Sequence, residues 1–252
     1  MRRCADNGTL SRLRSDARRH PFFLARCGAI CAGAADGAGR RGRRPMTAAL
    51  ELRGLACVRG RRRLFSGLNL QLHPGQLLRV AGANGAGKTS LLRMVCGLLA
   101  PAEGQVLWQG KNAHQEREAF HQQLAYLGHA AALKDELSAL ENLLAAARLA
   151  GLAPPPAAAR QALADAGLRG REHVPARILS QGQRKRAALA RLPLGAARLW
   201  VLDEPFNALD TAATAWLLGL IERQLQGGGM VVLTSHQPVA LSEHLAQQAL
   251  AL

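Results

Sequence analysis

Aromatic side chains are scarce in this chain: one Tyr, five Phe and three Trp among 252 residues. Acidic residues are the second deficit, 17 against 33 Lys and Arg, which leaves a formal net charge of +16. A chain so basic suggests nucleic acid or a membrane surface as a partner. The lack of an aromatic and basic platform argues against nucleic acid. The charge is also unevenly placed. Residues 1–45 hold eleven of the basic residues and only Asp6, Asp16 and Asp36 as acids, which is half of the net charge. The expectation is no nucleic-acid partner. Long apolar runs are missing too. No uninterrupted stretch of about 18 apolar residues occurs, so any membrane role must come through a partner. Cys4, Cys27, Cys31, Cys57 and Cys96 are odd in number and form no regular framework, which suggests a reducing compartment. Cys27 and Cys31 lack the second pair that a zinc site needs.

With 48% apolar and 20% charged residues, the chain reads as globular, with enough length to bury a core without disulfides or structural metal. Residues 1–45 read as a basic leader, disordered or ahead of the true start, with Met46 directly after it. Its charged, apolar and small-residue order also resembles a targeting signal, the alternative. The expected division is therefore a leader, 1–45, and a folded domain, 46–252.

From Leu50 the pattern becomes regular. Leu50, Leu52 and Leu55, then Leu64, Leu68, Leu70 and Leu72, fall in short strand-like runs. His73-Pro74-Gly75 marks a turn before a strand at 76–81, and an apolar helix is expected over 89–99. Residues 104–108 read as another strand. The middle is helical. Ser138 and Glu141 have capping-box spacing ahead of a helix to Leu149, with Gly151 as its stop. A second helix is expected over 157–166, and Ser180 with Gln183 repeats the capping-box spacing for a third. Residues 199–202 and 230–234 are continuous apolar runs, which suit strands buried on both faces, with a helix over 211–225 between them. That order predicts a parallel sheet with right-handed crossovers, an α/β fold.

Between the strand at 76–81 and the next helix lies Gly82-Ala83-Asn84-Gly85-Ala86-Gly87-Lys88-Thr89, which matches G-x-x-x-x-G-K-[ST]. Glycines let backbone N–H groups turn inward around phosphate oxygens, and the helix N-terminus adds partial positive charge. Lys88 is expected to reach the β- and γ-phosphates of a bound nucleotide, and the Thr89 hydroxyl to bind Mg²⁺; Ser90 follows on the helix. Such a loop alone says only nucleotide. A second motif narrows the chemistry. The strand Leu199-Trp200-Val201-Leu202 ends in Asp203-Glu204, placing Asp203 to hold Mg²⁺ and Glu204 to take a proton from attacking water.

Leu179-Ser180-Gln181-Gly182-Gln183 then resembles the LSGGQ signature of ATP-binding cassette (ABC) ATPases, with Gln181 in place of a glycine. The resemblance spans residues 50 to about 237. It implies a P-loop NTPase fold with a RecA-like parallel-sheet core, an antiparallel β subdomain and an α-helical subdomain at about 129–195. It implies head-to-tail pairing of two copies, with Ser180, Gly182 and Gln183 acting in trans on the partner's nucleotide. Asn207-Ala208-Leu209-Asp210 is similar to the D-loop, with Asp210 as its acid. His236 looks like the switch histidine that senses the γ-phosphate.

Two positions depart from the general pattern. His129, in Ala125-Tyr126-Leu127-Gly128-His129, stands where the family usually has the Q-loop glutamine. No adenine-stacking aromatic occurs near Cys57-Val58-Arg59-Gly60, where the flat Arg59 guanidinium could stack instead. With Leu199-Trp200, Asp203-Glu204-Pro205-Phe206 and Thr234-Ser235-His236-Gln237-Pro238, the unusual histidine makes the chain resemble the ATP-binding subunit of the cytochrome c maturation haem exporter. That implies ATP hydrolysis at the cytoplasmic face of the bacterial inner membrane, as a peripheral subunit. Integral membrane permease subunits would be partners, with haem-pathway components involved indirectly. The alternatives are the ATP-binding subunit of another exporter, or an ABC ATPase not linked to transport.

Overall fold

The computed structural model describes residues 49–252. The leader, its three cysteines and Met46 lie outside the described residues. The first strands are β1 (Leu50–Arg59) and β2 (Arg62–Leu72), an antiparallel pair. β3 (Gln76–Ala81) follows, then helix α1 (Lys88–Val95). β4 (Glu103–Trp108) and the two-residue β5 (Lys111–Asn112) join β1 and β2 in an antiparallel sheet of order β2-β1-β4-β5.

Helix α2 (Arg117–His121) leads into β6 (Leu124–Leu127). Helices α3 (Ala139–Leu149), α4 (Pro156–Asp165) and α5 (Gln181–Leu189) come next. β7 (Leu199–Leu202), α6 (Thr211–Gln226), β8 (Met230–Thr234) and β9 (Ala246–Ala251) complete the order. β6, β7, β8, β3 and β9 form a parallel sheet in that order.

Period-two alternation explains why this sheet needs cover on both faces. Val80, Val201 and Val232 face a core shared with β1, β4 and α1. Trp200, Leu202, Val231 and Leu233 face the opposite core, packed on Leu217, Leu220 and Ile221 of α6. Each fully buried Leu or Val stabilises the fold by about 1.5–3 kcal/mol. A third core joins α3, α4 and α5 through Leu140, Leu143, Leu163 and Ala187.

Helix ends follow local chemistry. Both expected capping boxes form, Ser138 with Glu141 at α3 and Ser180 with Gln183 at α5. α1 stops at Val95, short of the expected 99. Gly97 takes φ +68°, its N–H donates to the Met94 carbonyl, and Leu98 N–H reaches back to Arg93. That is a Schellman stop, which the leucines beyond Gly97 masked in the sequence. α4 begins one residue earlier than expected because Pro156 fits the first helical position. Among the described residues, no helix is long and apolar enough to cross a membrane.

Candidate active site

The glycine-rich loop lies between β3 and α1 and takes conformations that other residues resist. Gly82 has φ +148°, and a Cβ there would stand 2.6 Å from the Leu252 carbonyl oxygen. Gly87 caps α1 at φ +108°, with Leu64 and Phe65 close behind it. The buried Lys88 ammonium donates to the carbonyls of Gly82 (2.8 Å) and Ala83 (3.1 Å), folding the loop over its own side chain. Asn84, Gly85, Gly87, Lys88, Thr89 and Ser90 line a cavity of about 380 Å³. Ala83 is exposed beside them, and Ala86 donates its N–H to the Ala83 carbonyl. Arg59, Arg62 and Leu64 close another side of this cavity, so Arg59 does stand at its wall.

β7 brings the acidic pair to the same place. Asp203 is 1% exposed, and its two carboxylate oxygens have different partners. Oδ2 accepts from the Thr89 hydroxyl at 2.9 Å and Oδ1 from the Thr234 hydroxyl at 2.8 Å. Thr234 Oγ1 in turn accepts the Glu204 N–H at 2.7 Å. Parallel pairing of β7 with β8 and of β8 with β3 brings these strand ends together.

Glu204 also lines the cavity. Its Oε2 accepts from Asn207 Nδ2 at 2.5 Å. His129 Nδ1 lies 3.5 Å from Oε2, and His236 Nε2 lies 3.5 Å from Oε1. The two histidines therefore bracket one carboxylate, and each adds an ion pair when protonated. His129 thus sits beside Glu204 in space, 75 positions away in sequence.

The remaining expected residues lie elsewhere. Ser180 and Gln183 hold each other in the α5 cap: Ser180 N–H donates to Gln183 Oε1, and Gln183 N–H to Ser180 Oγ. A Cβ on Gly182 would stand 2.5 Å from the Ala208 carbonyl oxygen. None of these three lines the cavity around Lys88. Asp210 caps α6, accepting the Ala213 N–H at 2.8 Å. Thr234 and Asn207 fall within the Thr234–Pro238 and Asn207–Asp210 stretches, where the sequence alone gives neither a role of its own. A hydroxyl ending the wholly apolar run of β8 was the available signal for Thr234.

The geometry suits phosphoryl chemistry: a glycine-rich loop at a helix N-terminus, a lysine beneath it, a hydroxyl tied to a buried carboxylate, and a second carboxylate at the cavity wall. Comparisons agree. Residues 65–207 match the family model described as ABC transporter. The cytochrome c biogenesis ATP-binding export protein CcmA of Dechloromonas aromatica (strain RCB) is 54% identical over 190 residues, 75% of this chain and 93% of that protein. The protein of the same description from Pseudomonas aeruginosa is 50% identical over 192 residues, 76% of this chain and 95% of its own. Among solved structures, a putative ABC transporter ATP-binding protein from Pyrococcus furiosus superposes with TM-score 0.68 at 24% identity, covering 79% of this chain and 96% of that one. A dimeric ATP-binding cassette in a post-hydrolysis state with ADP and Pi gives TM-score 0.66 at 21% identity, covering 75% and 88%. These two likenesses establish the fold. With the family match and about half-identity across nearly the whole of the curated relatives, the chain belongs to the ABC transporter ATP-binding proteins, ATPases of the CcmA group.

Proposed function

We propose that this chain is the ATP-hydrolysing subunit of a transporter complex that powers haem export or provision for maturation of c-type cytochromes. The observation that carries the hydrolytic half is the hydrogen-bonded chain Thr89–Asp203–Thr234–Glu204, which ties the phosphate loop to the strand-end carboxylates. The pathway half rests on relatives described as cytochrome c biogenesis ATP-binding export proteins.

In this reading ATP lays its phosphates on the N–H groups of residues 82–90, and Lys88 turns from the Gly82 and Ala83 carbonyls toward the β- and γ-phosphates. Arg59 presents a flat guanidinium to the adenine. Thr89 and Asp203 offer hard oxygen donors already in contact, which fit Mg²⁺. When bound, that ion neutralises charge on the phosphate oxygens. Glu204 takes the proton of the water that attacks the γ-phosphorus as the bond to the departing ADP oxygen breaks. His236 and His129 steady the Glu204 carboxylate from its two sides, with His236 reading the γ-phosphate. Ser180, Gly182 and Gln183 complete the site of a second copy, and Asp210 fixes the start of α6 behind the loop that links them.

The partners are a second copy of this chain and integral membrane permease subunits, and the subunit works at the cytoplasmic face of the bacterial inner membrane. A groove of about 390 Å³ between β6 and the end of α3, lined in part by Leu98, Tyr126 and Leu149, supports the permease reading. Leu149 there is 91% exposed.

The test is a haem stain of c-type cytochromes in cells lacking this gene, complemented with residues 46–252, intact or carrying Glu204→Gln. Covalent haem should vanish in the deletion and return only with the intact form. Normal cytochromes in the deletion, with no second copy of the gene, would reject the pathway and leave the ATPase.

A further inference from the structure

One buried charge in this fold has no part in the hydrolytic scheme above. Lys185 lies on α5, one turn beyond the signature residue Gly182, and is 6% exposed. Among the described residues no carboxylate lies within salt-bridge distance of it. Burial of an ammonium without a close counter-ion is costly, and burial does lower the Lys185 pKa, opposed by the nearby charges of Asp203 and Glu204. Its hydrogen-bond acceptor is the backbone carbonyl of Asp203, 3.4 Å from Nζ.

That carbonyl belongs to a special peptide. Glu204, the next residue, has φ +47°, in the left-handed region that L side chains other than Asn and Asp seldom adopt. Such strain persists only where neighbours over-determine it. Here both polar groups of the Asp203–Glu204 peptide are held. The N–H donates to Thr234 Oγ1 at 2.7 Å, from β8. The C=O accepts from Lys185, from α5. The acceptor Thr234 and the donor Lys185 lie on different elements, so the peptide plane cannot rotate without breaking one bond or the other.

The same face of α5 meets the far end of this loop. Gly182 and Lys185 are three residues apart and therefore neighbours on the helix surface. Gly182 lies against the Ala208 carbonyl so closely that a Cβ would come within 2.5 Å. Between the two contacts, Asn207 donates to the Glu204 carboxylate. The signature helix thus touches the segment carrying Glu204 at Asp203 and at Ala208.

We propose that Lys185 is a positioning residue for hydrolysis: its ammonium, seated on the Asp203 carbonyl, holds the Asp203–Glu204 peptide so that the Glu204 carboxylate faces the phosphate cavity. Lys185 and Gly182 together make the loop follow the signature helix. A helix whose N-terminus serves the partner's nucleotide thereby sets the geometry of the carboxylate serving its own. The proposal rests on Glu204 as the base, and the experiment separates the two.

The test uses the subunit assembled with its membrane partners, as wild type, Lys185→Met, Lys185→Arg, Glu204→Gln and the double variant Lys185→Met/Glu204→Gln. Methionine keeps length and removes the charge; arginine keeps a charged donor. The turnover number of Lys185→Met should fall about 10- to 100-fold, the scale expected when a reacting group is displaced by about an ångström. KM and ATP affinity should change by no more than about twofold, since the phosphate loop is untouched. Lys185→Arg should recover most of the turnover. In the double variant, single-turnover hydrolysis should be no slower than in Glu204→Gln alone, because the two changes act on one group. Wild-type turnover in Lys185→Met would overturn the proposal, as would losses that multiply in the double variant. Equal loss of ATP affinity and thermal midpoint in the Met and Arg variants would also overturn it, by reducing Lys185 to a packing residue. Full hydrolysis by Glu204→Gln would instead remove the base on which the proposal stands.

Discussion

Lys88 serves the loop before any nucleotide arrives. Its ammonium ties the Gly82 and Ala83 carbonyls, so removing it loosens the cradle as well as deleting the proposed phosphate contact. Lys88→Ala should weaken ATP binding by at least about tenfold, the scale of losing one charge-assisted contact of roughly 1.5–3 kcal/mol. Titration with a fluorescent ATP analogue measures this, and an unchanged affinity would remove Lys88 from the phosphate site. Glu204→Gln should behave in the opposite way. The amide keeps the size and the cradle stays intact, so ATP should bind as in wild type while phosphate release falls by about 10²-fold or more. Normal phosphate release by that variant would exclude Glu204 as the base. The placement of both residues at one cavity was legible in the sequence, because their motifs are contiguous and chemically restrictive. That of Thr234, Asn207 and Lys185 was not. Their importance lies in which oxygen or peptide they touch, and those contacts are created by sheet register and helix packing between distant segments.

At the scale of elements, the sequence spoke most clearly where one residue type has one job. Ser138 and Ser180 announce helix starts, and Gly151 an end, because caps and left-handed stops are local devices. β9 was missed for the opposite reason. Ala246–Ala251 contains no β-branched or aromatic residue, and it becomes a strand because β3 offers a free edge. α2 and β5 are too short to carry a period. The two capping boxes now offer a comparison between structure and function. Ser138→Ala and Ser180→Ala each remove a serine that accepts the N–H of the fourth box residue, Glu141 or Gln183. Each should cost about 0.5–2 kcal/mol in urea unfolding. Only Ser180→Ala should also depress ATP hydrolysis in the assembled transporter, because only that box carries residues proposed to act on the partner's nucleotide. Equal hydrolysis by both variants would reduce the Ser180 box to a helix cap.

For the molecule as a whole, the α/β class and the parallel sheet followed from strand–helix–strand order, whereas the strand sequence β6-β7-β8-β3-β9 did not. Chain order constrains handedness, but it leaves open on which side of β3 each later strand is laid. The same limit touches the site. The cavity holding Lys88, Thr89 and Glu204 is lined from β1, β2, the loop into α1 and the end of β7, while Ser180, Gly182 and Gln183 stand at the start of α5 and line none of it. The proposed action in trans requires that a nucleotide bound there keep a phosphate face that this copy does not cover, to be met by the α5 N-terminus of a second copy. ATP should therefore act as the adhesive of a dimer, stabilising the paired state by mass action for as long as it stays intact. Glu204→Gln with ATP should elute as a dimer in size-exclusion chromatography with light scattering. The same protein without nucleotide, and Lys88→Ala with ATP, should elute as monomers. If Glu204→Gln binds ATP yet stays monomeric at concentrations well above its nucleotide dissociation constant, Ser180, Gly182 and Gln183 have no partner site to complete, and action in trans is rejected.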